Sequence, residues 1–407
     1  MKITIKKIHF AFIKLEKYII CIIYKFSIPF KASKVRKKDK IKVLFVLAEL
    51  GAWKTELLYL SMLKHPRFEP VLGVTISQEA PLAKAQILAY LENKEYEYID
   101  ISYVGINRID PDIIFYQKPY LDTYLPYIKY IDNLDRLFCY TNYYFFNTKE
   151  PRIFRGDTIY KIAWQIYVEN ESVKREMSSI IRKNKRAILP TGLVMADSLL
   201  MNKMNEEDPW TCDSRTKKRI IYAPHHSIAN FYTGSIDYGT FDMFGEFILQ
   251  LAIKYRNRIH MAFKPHPVLY GKLVRLWGQE KTDKYYNIWS QLEHTQFEDG
   301  EYVGLFQYSD AMIHDCNSFT IEYMYMNKPA LYLVRNDCHI DCVSDIGKDC
   351  FANHYHGRTK EDIEKFVLNV IDGIDPLYNS RKELLENKLK PLGGCACDNI
   401  IKSILGE

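Results

Sequence analysis

The feature that most constrains this chain is a repeated alternation: short, unbroken apolar runs, each followed by a stretch of helical period. In the first half the apolar runs are "IKVLFVLAEL" (41–50), "FEPVLGVTIS" (68–77), "PDIIFYQKPY" (111–120), "RLFCYT" (136–141) and "RAILPTG" (186–192). "WKTELLYLSMLKH" and "PLAKAQILAYLEN" lie between them with apolar residues three and four apart. Runs without in-out alternation suit strands covered on both faces, and strand–helix order implies βαβ units in a parallel sheet. The pattern restarts at "RIIYAP" (219–224) and continues through "IHMAFKP" (259–265), "DAMIHD" (310–315) and "PALYLV" (329–334). Helices are expected over 240–256, within 268–293, from about 318, over 360–373 and over 395–405.

A chain of 407 residues exceeds the roughly 250–300 at which a single core stops growing. The expected organisation is therefore an arm (1–40), a Rossmann-like domain (41–200), a polar linker (201–218), a second Rossmann-like domain (219–394) and a C-terminal helix (395–407). Two doubly wound domains of this kind would turn their strand C-termini toward a common cleft, where such sheets bind ligands. Nine cysteines, odd in number and without paired zinc-type spacing, suit a reduced compartment and give no metal motif. Neither a metal nor a cofactor is expected.

Net charge is +6, but residues 1–40 hold twelve Lys/Arg against Glu16 and Asp39, or +10, leaving −4 for the body. A mildly acidic body argues against a nucleic-acid partner. In the arm, Ile8, Phe12, Leu15, Ile19, Ile22 and Phe26 fall on one helical face. The longest apolar run, 18–24, is far short of the ~20 residues that span a bilayer. The reading is an amphipathic helix lying on an anionic membrane surface, aided by Lys34, Arg36, Lys37 and Lys38, which would make the protein peripheral on the cytoplasmic face.

Three loops of the second half follow strands and so open on one edge: Pro224-His225-His226, Lys264-Pro265-His266-Pro267, and Asp315-Cys316-Asn317-Ser318. Asn317 or Ser318 is a natural N-cap for the next helix, aiming its N–H groups at a pyrophosphate, with Glu322 one turn on to reach a ribose hydroxyl. Prolines on both sides stiffen the loop at His266, and a fixed imidazole can hydrogen-bond a leaving phosphate.

The ordered stretches "IIYAPHHS", "FKPHP" and "YSDAMIHDCNSFTIEYMYMNKPALYL" resemble the CDP-glycerol glycerophosphotransferase family of teichoic-acid and capsular polysaccharide synthesis. The resemblance implies a GT-B-like fold and transfer of glycerol phosphate, or a related alditol phosphate, from a CDP-linked donor to a hydroxyl of a polysaccharide or lipid-linked acceptor. By position it implies His266 beside the donor phosphates, with Pro224, Asp315, Asn317, Ser318 and Glu322 at the family's matching motifs; Lys264 and His226, in the same loops, are further candidates for binding the nucleotide. The family's first-domain Trp-His-Gly, which supplies its proposed base, has no match here. Glu49 and His225 are the replacement candidates, and Trp53 and Lys54 are candidates for acceptor binding. A glycosyltransferase using a nucleoside diphosphate sugar, or a non-catalytic assembly protein, are the competing readings.

Overall fold

The computed structural model describes residues 2–120, 123–147, 159–201, 208–212, 216–228, 238–300, 302–335 and 343–407, with side chains from residue 19 onward except 182 and 183. The chain forms two compact units. The first comprises residues 1–144, 150–197 and 391–407; the second comprises 145–149 and 198–390.

In the first unit seven strands, β1 (Ile41–Leu47), β2 (Phe68–Val74), β3 (Tyr98–Asp100), β4 (Ile113–Tyr116), β5 (Leu137–Thr141), β6 (Gln165–Tyr167) and β7 (Ile188–Leu189), pair in the order β3-β2-β1-β4-β5-β6-β7. Every pairing is parallel. Helix α1 (Lys2–Arg36) precedes β1, α2 (Glu56–Lys64) and α3 (Ala83–Asn93) follow β1 and β2, and α4 (Glu171–Ile180) follows β6. β1 is buried along nearly its whole length, on both of its faces. Val43, Phe45 and Leu47 join Leu58 and Met62 of α2 in one core, at roughly 1.5–3 kcal/mol per fully buried large apolar side chain.

The second unit repeats the plan with β8 (Lys218–Ala223), β9 (Ile259–Phe263), β10 (Thr295–Phe297), β11 (Ala311–His314), β12 (Ala330–Leu333) and β13 (Tyr355–Gly357), in the order β10-β9-β8-β11-β12-β13. These pairings are parallel too. Its helices include α5 (Phe241–Lys254), α6 (Pro267–Trp277), α7 (Gln279–Gln291), α8 (Asn317–Glu322) and α9 (Lys360–Asp372). Phe241, Phe263, Tyr285 and Trp289 cluster between sheet and helices.

The last helix, α10 (Ala396–Leu405), belongs to the first unit. Its N-terminal Ala396 and Cys397 N–H groups donate to the carboxylate of Asp197 at 2.8 and 2.7 Å. An outside carboxylate thus satisfies two of the donors that every helix N-terminus leaves open. The expected linker 201–218 falls partly on residues outside those described, 202–207 and 213–215. Its described part is packed: Trp210 is buried and Asp208 pairs with Arg219 at 2.9 Å. Among the described residues no helix is long and apolar enough to cross a membrane.

Candidate functional site

In the second unit the order β9-β8-β11 places β8 at the reversal of the winding, and the last residues of β8 and β11, Ala223 and His314, are register partners. Loops leaving such strand ends meet at one edge, the usual ligand position in a doubly wound sheet. The Pro224 carbonyl accepts from the His266 N–H at 3.0 Å, which ties the first two loops together.

Asp315 ties in the third. Its carboxylate is fully buried and accepts from the backbone N–H of His225, from the Thr240 N–H, and from the Thr240 hydroxyl at 2.8 Å. Burial pushes its pKa up to about 6 while the three donors pull it down. The sequence reading placed Asp315 against a phosphate, and the structure corrects this: the carboxylate faces inward and fastens loops. Gly239 lies in the same knot, where a Cβ would come within 3.0 Å of the Ser227 backbone.

His225 is corrected as well. Its Nδ1 accepts from the Ser227 N–H at 3.2 Å, its Nε2 meets the Tyr238 hydroxyl at 3.2 Å, and the Tyr238 ring stacks on it. Burial, with the neighbouring His226, lowers its pKa to about 2. An imidazole with both nitrogens engaged is scaffold rather than a base awaiting an acceptor.

His226 and His266 differ from it in a decisive way. The Val268 N–H donates to His266 Nδ1 at 3.2 Å, making His266 the N-cap of α6. The Lys272 ammonium donates to His226 Nδ1 at 3.0 Å and to the His226 carbonyl at 3.0 Å. Both partners can only donate, so in each neutral ring the proton sits on Nε2. The two rings lie 4.3 Å apart, centroid to centroid. The result is two N–H donors and an ammonium beside the N-terminus of an eleven-residue helix, an arrangement that favours an anion.

The ring nitrogens of His225, His226 and His266 come within 4.8 Å of one another, close enough for a metal ion. Metal ligation needs a free lone pair on each ring, either at Nδ1, where the Val268 and Lys272 donors sit on His266 and His226, or at Nε2 after its proton moves to Nδ1; both routes forfeit those hydrogen bonds, and the Lys272 charge opposes a cation. Sequence reading missed Lys272, because nothing in "YGKLVRLW" shows that it turns back toward the Ala-Pro-His-His loop.

Burial, then the charges of His226 and Lys272, hold the pKa of His266 down at about 4, and burial also lowers that of His226. Both rings are therefore neutral near pH 7 when the site is empty. A bound dianion stabilises imidazolium and raises both values, so the complex holds more protons than the free protein. Binding of sulfate, a dianion throughout this range, should tighten as pH falls from 7 toward 5, with proton uptake visible by calorimetry in buffers of different ionisation enthalpy. Uptake of zero would show that the anion does not reach these rings.

The remaining candidates divide. Cys316, not Asn317 or Ser318, is the N-cap of α8 and makes no side-chain capping bond. Asn317 Oδ1 instead accepts from the Tyr332 hydroxyl at 3.2 Å, and the Asn317 carbonyl accepts from Asn147 Nδ2 at 2.6 Å. Ser318 is half-buried in the first turn, and Glu322 is buried at 3% exposure. Lys264 is buried with its ammonium on the Gly300 carbonyl at 2.6 Å, so it braces a loop rather than facing a ligand.

In the first unit, Glu49 is not a poised base. One carboxylate oxygen accepts from Ser77 at 2.8 Å and the other pairs with Lys118 at 2.6 Å. Trp53 is buried edge-on against Tyr90 and Tyr96. With Lys54, Gln117, Asn142 and Tyr143 it lines a small pocket at the C-terminal edge of β1, β4 and β5.

The family model described as CDP-Glycerol:Poly(glycerophosphate) glycerophosphotransferase matches residues 157–339, which span all three loops of the second unit. No curated protein matches the chain by sequence. Among solved structures, a variant of the wall teichoic acid polymerase TagF superposes with TM-score 0.62 at 10% identity, covering 96% of this chain and 97% of that one. A TagF variant soaked with CDPG gives 0.61 at 12% identity, covering 96% and 98%. The S. aureus MnaA–UDP co-structure gives 0.57 at 14% identity, covering 89% and 96%. At these identities the likeness shows the fold, an α/β GT-B-like pair of parallel sheets.

Proposed function

We propose that this chain, whose residues 157–339 match the model of the CDP-glycerol:poly(glycerophosphate) glycerophosphotransferase family, moves glycerol phosphate or a related alditol phosphate from a CDP-linked donor to an acceptor hydroxyl. The observation that carries the reading is the pair of Nε2–H donors on His226 and His266 with the Lys272 ammonium beside them. Phosphoryl transfer asks little covalent chemistry of a protein and much positioning and charge stabilisation.

In the proposed reaction the acceptor oxygen attacks the β-phosphorus, the bond from that phosphorus to the bridging oxygen breaks, and CMP leaves with the bonding electrons while the acceptor proton passes to solvent. The β-phosphate and the departing CMP phosphate gain charge against the two imidazoles and Lys272, where positioned donors lower the barrier. Asp315, His225 and Thr240 hold the loops that present them. The acceptor is a hydroxyl of a cell-surface polysaccharide or lipid-linked chain. That TagF has been soaked with CDPG supports the donor class by analogy of fold.

Incubation with CDP-glycerol and a short glycerol phosphate oligomer should release CMP and lengthen the oligomer by one unit. Release of a nucleoside diphosphate from a sugar donor would instead establish a glycosyltransferase. If no nucleotide raises the melting temperature, the site binds no donor: a ligand at a hundred times its Kd should stabilise by about 2.7 kcal/mol.

A further inference from the structure

Helix α1 shows two opposed apolar faces between residues 19 and 36. One is packed: Tyr24, Ala32 and Val35 are 3–6% exposed, and Tyr24 sits against Phe138 of β5. Arg36 fastens the same end, donating to the Ile404 and Ser403 carbonyls of α10 at 2.9 and 3.0 Å. Lys31 donates to the Leu134 carbonyl. The helix is thus clamped to the first unit and is no loose tail.

The other face is bare. Ile19, Ile23, Phe26 and Phe30 are 47, 62, 83 and 75% exposed. Their spacing of four, three and four places them in one stripe, and at 100° per residue that stripe points about 165° away from the Tyr24–Ala32–Val35 face. The expected stripe of Ile8, Phe12, Leu15, Ile19, Ile22 and Phe26 changes accordingly: its first three side chains lie outside the described residues, and its continuation runs through Ile23 and Phe30 rather than Ile22, which is the least exposed of the set at 37%.

Two phenylalanines bare to water are costly in a folded unit and call for an occupant. Charge identifies it. From residue 17 to 38 the chain has seven Lys/Arg and no Asp or Glu. Lys34 and Lys37 are exposed at the end of the stripe. A second copy would bring the same positive charge against itself, whereas an anionic lipid surface offers both an apolar interior and the opposite sign.

We infer that α1 lies in the plane of an anionic bilayer with Ile19, Ile23, Phe26 and Phe30 inserted among the acyl chains and Lys34 and Lys37 at the headgroups, while its opposite face carries the first unit. This does not rest on the donor chemistry proposed above. The clamp makes it a rigid attachment, so the orientation of the first unit at the membrane is fixed by the helix rather than left to a tether.

The test is flotation of the full chain with vesicles of phosphatidylcholine alone or with phosphatidylglycerol added. Phe26→Ser with Phe30→Ser, both exposed and thus harmless to folding, should lower the bound fraction about tenfold or more. Lys34→Gln with Lys37→Gln should weaken binding to anionic vesicles alone and flatten its salt dependence. Equal flotation of wild type and the phenylalanine variant would overturn the inference. So would a wild-type dimer in sedimentation that the same variant abolishes, since the stripe would then be covered by a second copy.

Discussion

Replacing His266 by alanine is expected to lower kcat by about 10²–10³-fold, the range found when one positioned donor to a developing charge is removed. The substitution is not clean, because His266 is also the N-cap of α6 through Nδ1, and losing a cap costs about 1 kcal/mol. His266→Asn separates the two roles. Asparagine is a good capping residue, so the melting temperature should return to near the wild-type value, while a short amide cannot replace the Nε2–H and activity should stay low. Lys272→Met should act differently. In the proposed reaction it removes a charge set against the donor before and during transfer, so donor KM should rise by about 10–100-fold, corresponding to the 1.5–3 kcal/mol of a charge-assisted hydrogen bond, with a smaller effect on kcat. Wild-type kcat in His266→Asn would remove His266 from the chemistry. An unchanged KM in Lys272→Met would leave that residue as a support for the His226 ring alone.

How far this could be read from the sequence depended on the kind of interaction. Strands β1, β8 and β11 are announced by continuous apolar runs because both their faces are buried, and the helices between them by their period. The three-residue strands β3, β6, β10 and β13 carry no such signal: "YID", "QIY", "TQF" and "YHG" are set in place by the neighbours they pair with. The edge where the three loops meet was legible, since polar loops after parallel strands must open together. The roles within it were not. Asp315 and Ser318 sit three residues apart in a loop that reads as a phosphate cradle, but whether a carboxylate faces out or in depends on where Thr240 and the His225 N–H lie, 75 and 90 residues away. Likewise Glu49 looked available until Lys118, 69 residues on, was seen to pair with it. Lys272 was invisible for the converse reason, a surface-looking helix position that folds back onto His226.

Asp315 therefore supports the second large effect, and it is one of stability and order rather than direct contact with donor. Asp315→Ala leaves the His225 N–H, the Thr240 N–H and the Thr240 hydroxyl without their acceptor in a buried place. Unsatisfied buried groups cost roughly 1–3 kcal/mol each and do not add fully, so a loss of about 3 kcal/mol is expected by denaturant unfolding. Asp315→Asn should cost less but not be neutral: one of its two terminal atoms is an NH2 that must face a donor, at His225 or at Thr240. The two aspartate variants also differ from wild type in pH dependence. With a folded pKa raised to about 6 against about 3.9 unfolded, the wild-type carboxyl contributes stability that is fully present at low pH and is lost as pH rises through 6. The amide has no such dependence, so the stability gap between wild type and Asp315→Asn should widen on acidification from pH 7 to 5. The histidine titrations are common to both proteins and cancel in that difference, which makes it a selective readout of the buried carboxylate. A gap independent of pH would mean that Asp315 ionises as it does in the unfolded chain, and a neutral Asp315→Ala would mean that the three loops are held together by something other than this knot.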